Sequence, residues 1–167
     1  MIANVLVADK LDAGGLAILR ACAFLDVDVR SGLAPLALQG AIADKDAVIV
    51  RSATHVDAAA VAAGTKLKLV VRAGIGVDNI DVAACAKNGI VVENTPQGNA
   101  ISAAEHALAL LFSLARQIPL ANVVTKAGTW EKKRFSGVQL HGKTIGIVGV
   151  GNIGREVAIR ATSLGMS

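Results

Sequence analysis

Two kinds of residue in this chain stand where they could do chemistry: a spaced set of glycines late in the sequence, and two arginines that each close an apolar run. The glycines lie in "TIGIVGVGNIG", where Gly149, Gly151 and Gly154 follow a Val/Ile run as G-x-G-x-x-G and lead into a segment of helical period from Asn152 to about Leu164. Between a strand and a helix, the first glycine of such a set permits a tight turn. The second lets the backbone approach a pyrophosphate, and the third lets helix and strand pack closely. The helix N-terminus attracts the anion. The pattern therefore predicts a dinucleotide site built from Gly149, Gly151 and Gly154, against the plainer alternative of a glycine-rich turn with no ligand. An acidic residue about 20 positions further on is expected to hold a ribose hydroxyl. Ser167 precedes that position, so the expectation is a nucleotide site begun and not completed, with NAD and NADP undistinguished.

The arginines are Arg51, closing "DAVIVR", and Arg72, closing "LKLVVR". If these runs are parallel strands, both residues stand at the carboxyl edge, where open α/β sheets bind ligands. A guanidinium there suits a carboxylate or phosphate; the plainer account is an ordinary salt bridge at a strand end. A net charge of +4 and a pI near 9.3 also favour an anionic ligand. Nucleic acid is a weaker reading, because aromatics make up 2% of the residues and leave little surface for stacking bases. Lys132, Lys133 and Arg134 form the one dense basic patch, by default a solvated loop.

Other chemistries find no support in the spacing. Cys22 and Cys85 have no metal-like pattern and read as reduced thiols of a cytoplasmic protein, with no metal site expected. No basic, apolar leader opens "MIANVLVADK", and the longest apolar run, from Ala107 to Ala115, is far short of the ~20 residues of a membrane span. No membrane is expected.

The elements that must position these residues are legible as alternation. Short Val/Ile runs ("NVLVA", "DVDVR", "DAVIVR", "LKLVVRAG", "IVVEN") are separated by alanine-rich segments of helical period, several opened by Asp and closed by Gly or Asn-Gly. Five strands with intervening helices imply a doubly wound parallel sheet covered on both faces, and their number suits the flavodoxin-like order 2-1-3-4-5, which periodicity by itself does not set. "NTPQGNA" breaks the pattern and sets a boundary: residues 1–98 form one domain, 99–139 hold linker helices and the basic loop, and 140–167 begin a second, Rossmann-type domain. Beyond the break, Ser102 and Glu105 suggest a capping box opening a long Ala/Leu helix that stops near Pro119. One strand with one helix cannot bury its own faces, so the last segment is expected to dock on the first domain or a partner, or to stay loose.

The segments "VRSATHVDA", "LKLVVRAGIGVDNIDVAA", "NTPQGNAISAAEHALALLFSLARQI", "GTWEKKRFSG" and "GKTIGIVGVGNIGREVA" together resemble the D-2-hydroxyacid dehydrogenase family, over essentially the whole chain. The resemblance implies a flavodoxin-like substrate domain leading through a long helix into an NAD-binding Rossmann domain. It implies NAD as cofactor, a small anionic substrate of the 3-phosphoglycerate kind, and a homo-oligomer that uses the Ala/Leu helix at its interface. Carried over by position, Arg51 and Ser52 would meet the substrate phosphate or carboxylate. Arg72, Ala73 and Gly74 would line the substrate edge, and Ile75 would face the nicotinamide. Ile75 and Asn152 depart from the hydroxyl residue and the Arg found at those places in many members, so the cofactor contact that the resemblance still implies there is one through the backbone at Asn152 or Ile153. The family's catalytic Arg, Glu and His match no residue here; His55, His106 and His141 read as helix-surface or loop residues. The expectation is recognition without turnover, and the alternatives are a non-catalytic flavodoxin-like module or a fragment of a family member acting on another substrate.

Overall fold

Asp12, Asp57 and Asp81 each follow a loop and accept a hydrogen bond from the backbone N–H three residues on, which starts three of the helices that return the chain to its sheet. The computed structural model describes residues 2–167, and the chain divides after Gly98 into two compact units. In the first, β1 (Ala3–Val7), β2 (Leu25–Val29), β3 (Ala47–Val50), β4 (Leu69–Arg72) and β5 (Val91–Asn94) alternate with α1 (Ala13–Ala21), α2 (Pro35–Ile42), α3 (Ala58–Ala63) and α4 (Val82–Lys87). The strands are parallel, as the alternation predicts, and their order β2-β1-β3-β4-β5 is the flavodoxin-like one that the element count suggests.

Strand side chains alternate, so Leu6, Ala8, Val48, Val50 and Val70 share one face, and they pack with Leu38 and Ile42 of α2, Val61 of α3 and Cys85 of α4. Right-handed crossovers to β3, β4 and β5 all run in one direction across the sheet, which puts their three helices on that face; the crossover to β2 runs the other way and puts α1 opposite. Helix α1 buries none of its residues, and an apolar groove of about 530 Å3 remains along Val5, Ile49, Leu69 and Val71 beside Leu19 and Leu25. The second face thus carries α1 within this unit, with Val5 and Val7 buried and a groove left open beside the helix.

The second unit, Asn99–Ser167, is built on α5 (Ala100–Ala115), α6 (Ile118–Lys126) and α7 (Asn152–Ser163). Three sequence expectations are corrected here. The capping box does not form: Asn99 is the N-cap of α5, and Ser102 already lies in the first turn, its hydroxyl donating to the Asn99 carbonyl at 3.1 Å. Glu105 turns instead to Arg160 of α7, 3.9 Å away. Helix α5 does stop near Pro119, at Ala115, but the proline is not what ends it. The helix breaks at Gln117, whose φ is +53°, and Pro119 sits in the first turn of α6, where a missing N–H costs nothing. Thirdly, the run from Thr144 to Val148 is not a strand. Only its start is paired, the Ser167 N–H donating to the Lys143 carbonyl at 3.0 Å and the Ile145 N–H to the Ser167 carbonyl at 2.8 Å. Those two bonds make a single parallel rung, and no described residue continues the ladder beside Gly146–Val148. Helix α7 is not loose: it lies against α5, with Ala104, Leu108 and Ala161 buried on the two helices. Among the described residues, no single helix is long and apolar enough to cross a membrane.

Candidate functional site

All five parallel strands end along the carboxyl edge of the sheet, and specific hydrogen bonds hold the loops that follow β3 and β4. β3 and β4 pair in register with Val50 opposite Arg72, so Arg51 and Arg72 leave neighbouring strands at the same edge. Arg51 is exposed, and its guanidinium donates to the Lys10 carbonyl at 3.3 Å. Ser52 follows, also exposed. Neither arginine forms an ion pair with a carboxylate among the described residues. The plainer salt-bridge account of the two residues therefore fails.

Arg72 is half-buried and folds back over the turn that follows it. A β-carbon at Gly74 would overlap its guanidinium, so the glycine makes room for the charge. Its Nε–H is buried and has no acceptor. A buried donor left unpaired is costly unless a ligand completes it. The loop under it is fixed from both sides: the Ala73 N–H donates to the Val50 carbonyl at 2.8 Å, and the Thr95 N–H donates to the Gly74 carbonyl at 2.9 Å. The Asn94 amide donates to the Ile75 carbonyl at 2.6 Å. Arg51, Ser52, Arg72, Ala73, Gly74 and Ile75 are thus brought together on one edge of the first unit, while Gly149, Gly151, Asn152, Ile153 and Gly154 belong to the second.

In the second unit, the three glycines differ in what they need. Gly149 has φ +94°, a conformation that side-chain-bearing residues avoid. A β-carbon at Gly154 would collide with the Gly149 carbonyl oxygen, which fixes how closely α7 approaches the preceding turn. At Gly151, the N-cap of α7, nothing lies within 4 Å of an added β-carbon, and no side chain caps the helix. Turn, open approach and close packing are the three conditions that a pyrophosphate-binding turn demands, so the residues present fit the phosphate end of a dinucleotide.

Residues 5–163 match the catalytic domain of the D-isomer specific 2-hydroxyacid dehydrogenases. The chain belongs to that family. It is 48% identical over 164 residues to a D-3-phosphoglycerate dehydrogenase of Synechocystis sp., covering 98% of this chain and 29% of that relative. It is 47% identical over 163 residues to the human D-3-phosphoglycerate dehydrogenase, covering 98% of this chain and 30% of that relative. The chain thus spans about 30% of the length of these curated relatives. A crystal structure of NAD+-bound 3-phosphoglycerate dehydrogenase from Entamoeba histolytica superposes with a TM-score of 0.81 at 30% identity, covering 99% of this chain and 52% of that one.

Within this family member, the three histidines are exposed, and none pairs with a carboxylate among the described residues. No cluster of metal-ligating side chains occurs among the described residues either. Both cysteines are free, and burial, with Asp81 nearby, pushes the Cys85 thiol above its ordinary range and keeps it neutral. Sequence reasoning missed two buried polar residues of the edge, Asp9 and Asn79. The available signal was weak: a lone Asp after "VLVA" and a lone Asn in "GVDNID" look like ordinary loop residues.

Proposed function

We propose that this chain is the anion-recognising, N-terminal portion of an NAD-dependent D-3-phosphoglycerate dehydrogenase, which oxidises 3-phosphoglycerate to 3-phosphohydroxypyruvate in serine biosynthesis in the cytoplasm. The observation that carries the reading is the Arg72 Nε–H, buried without an acceptor beside Arg51 on a sheet edge where neither guanidinium has a carboxylate partner. Phosphate and carboxylate oxygens are the acceptors that such donors take. Arg51 and Ser52 receive one anionic group of the substrate, and Arg72 with the Ala73–Gly74 backbone orients the rest. The backbone at Gly151, Asn152 and Ile153 holds the dinucleotide phosphates, and Ile75 contributes to the nicotinamide side. NAD supplies hydride acceptance when bound. No base or acid pair among these residues moves the hydroxyl proton, so the chain alone recognises substrate without turning it over.

Titration calorimetry of the purified chain with 3-phosphoglycerate tests this. Saturable binding is expected, weakened about tenfold or more by Arg51→Met or Arg72→Met, the loss of one charge-assisted contact. Equal binding by native chain and both variants would refute the assignment, and NADH production by the chain alone would refute the absence of turnover. Submicromolar NAD binding would exclude the competing reading of an inert flavodoxin-like module. Self-association is part of the proposal, supported by the exposed Leu110, Leu114, Leu120 and Val123 on α5 and α6. Sedimentation as a monomer at all concentrations would remove it.

A further inference from the structure

The short loop from Arg51 to Thr54 is gripped at both ends by two side chains that the anion-binding reading leaves without a task. Asp9, two residues past β1, is 5% exposed. One of its carboxylate oxygens accepts from the Arg51 N–H at 2.6 Å and from the Thr54 N–H at 3.2 Å, and the other accepts from the Thr54 hydroxyl at 2.9 Å. Asn79, also 5% exposed, takes the opposite polarity: its amide donates to the Arg51 carbonyl at 2.7 Å and to the Thr54 carbonyl at 2.6 Å. One side chain therefore holds the N–H groups of both loop ends, and the other holds their carbonyls. The Thr54 hydroxyl also lies 3.2 Å from the Ala8 carbonyl, tying the loop to the end of β1.

Between the clamped ends, Ser52 and Ala53 are exposed, and neither their N–H groups nor the Ser52 hydroxyl has a partner among the described residues. Asp9 forms no ion pair, although a buried carboxylate is expensive to retain. It spends its lone pairs on backbone N–H groups and a hydroxyl, which leaves the Arg51 guanidinium uncompensated. We propose that Asp9 and Asn79 are positioning residues for anion recognition. By clamping Arg51 and Thr54 from opposite polarities, they hold the loop so that the Arg51 guanidinium and the Ser52–Ala53 donors are presented together to one anionic group. This rests on the reading that the arginine edge takes an anionic substrate.

The test is 3-phosphoglycerate titration of the native chain and of Asp9→Ala, Asp9→Asn and Thr54→Val, with amide exchange of Arg51 and Thr54 followed by NMR. Asp9→Ala should weaken binding about tenfold or more and release the Arg51 and Thr54 amides to rapid exchange, while the amides of β1 and β3 stay protected. Asp9→Asn keeps an acceptor oxygen at the same place and should restore affinity to within about threefold of native, a rescue that a role of the charge itself would not show. If Asp9→Ala does not fold, Thr54→Val removes only the hydroxyl arm and should still weaken binding about threefold or more. A native chain that binds, with variants lacking the clamp binding as tightly, overturns this inference alone, as does failure of Asp9→Asn to rescue. A native chain that does not bind 3-phosphoglycerate overturns the underlying reading and this inference with it.

Discussion

Charge at single residues here divides into groups paired with an opposite charge, such as Asp28 and Asp46, and groups with no carboxylate partner among the described residues, Arg51 and Arg72. The Arg30 guanidinium, with Lys45 beside it, holds the Asp28 carboxyl below its ordinary range against the opposing effect of burial. The Asn4 backbone N–H, then Lys68, does the same for Asp46, which joins the start of β1 to β3 and β4. A carboxyl whose folded pKa is depressed adds stability above its unfolded value of about 4, and that contribution is lost as pH falls through the folded value. Urea unfolding should therefore show stability declining in acid, with Asp28→Asn plus Asp46→Asn less stable than native at pH 7 and declining less steeply. Curves that stay parallel down to strongly acidic pH would contradict this. Arg51 and Arg72 were legible as candidates because each closes a Val/Ile run, a position that periodicity alone identifies. Asp9 and Asn79 were not, since their importance lies in bonds to residues 42 to 45 and 25 to 28 positions away in sequence, which no local pattern encodes.

Among the elements, α7 depends most on its glycines. Gly154→Ala forces a β-carbon against the Gly149 carbonyl and should destabilise α7 by about 1–3 kcal/mol, the usual penalty for overpacking. Gly151→Ala meets nothing and should leave the helix intact while weakening dinucleotide binding, because the proposed binding mode brings the pyrophosphate against that backbone. Hydrogen exchange across Asn152–Ser163 in both variants reads the difference; equal protection would show that the close approach at Gly154 is not needed. The helix itself was legible from its period and glycine spacing. The strand ahead of it was not realised, because a strand is completed by a neighbour: Thr144–Val148 has one rung with Ser167, and Val148 is fully exposed. The false capping box has a similar cause. Ser-x-x-Glu fits the motif, yet the turn over residues 96–99 starts the helix early enough to place Ser102 inside it.

At the scale of the molecule, the two units bury very different amounts of apolar surface. The first centres on Leu6, Leu38, Ile42, Val48, Val50 and Val70, all nearly inaccessible, whereas the second relies on Ala100, Ala104, Leu108, Ala161 and Met166. Small side chains contribute little, at about 25 cal/mol per Å2 of apolar area removed from water. Amides of α5 and α7 should therefore exchange well before those of β1, β3 and β4 under native conditions, and NMR-detected exchange at uniform rates in both units would contradict that. By itself, the sequence determined the alternation of strands and helices, the glycine turn, the strand-closing arginines and the family, because periodicity, caps and motif spacing are local properties of a chain. Tertiary structure alone decided that Arg72 carries an unpaired buried donor, that Asp9 and Asn79 clamp the loop beside Arg51, and that α7 rests on α5. Hydrogen bonds and burial between distant residues depend on which surfaces meet, and that is settled only when the chain has folded.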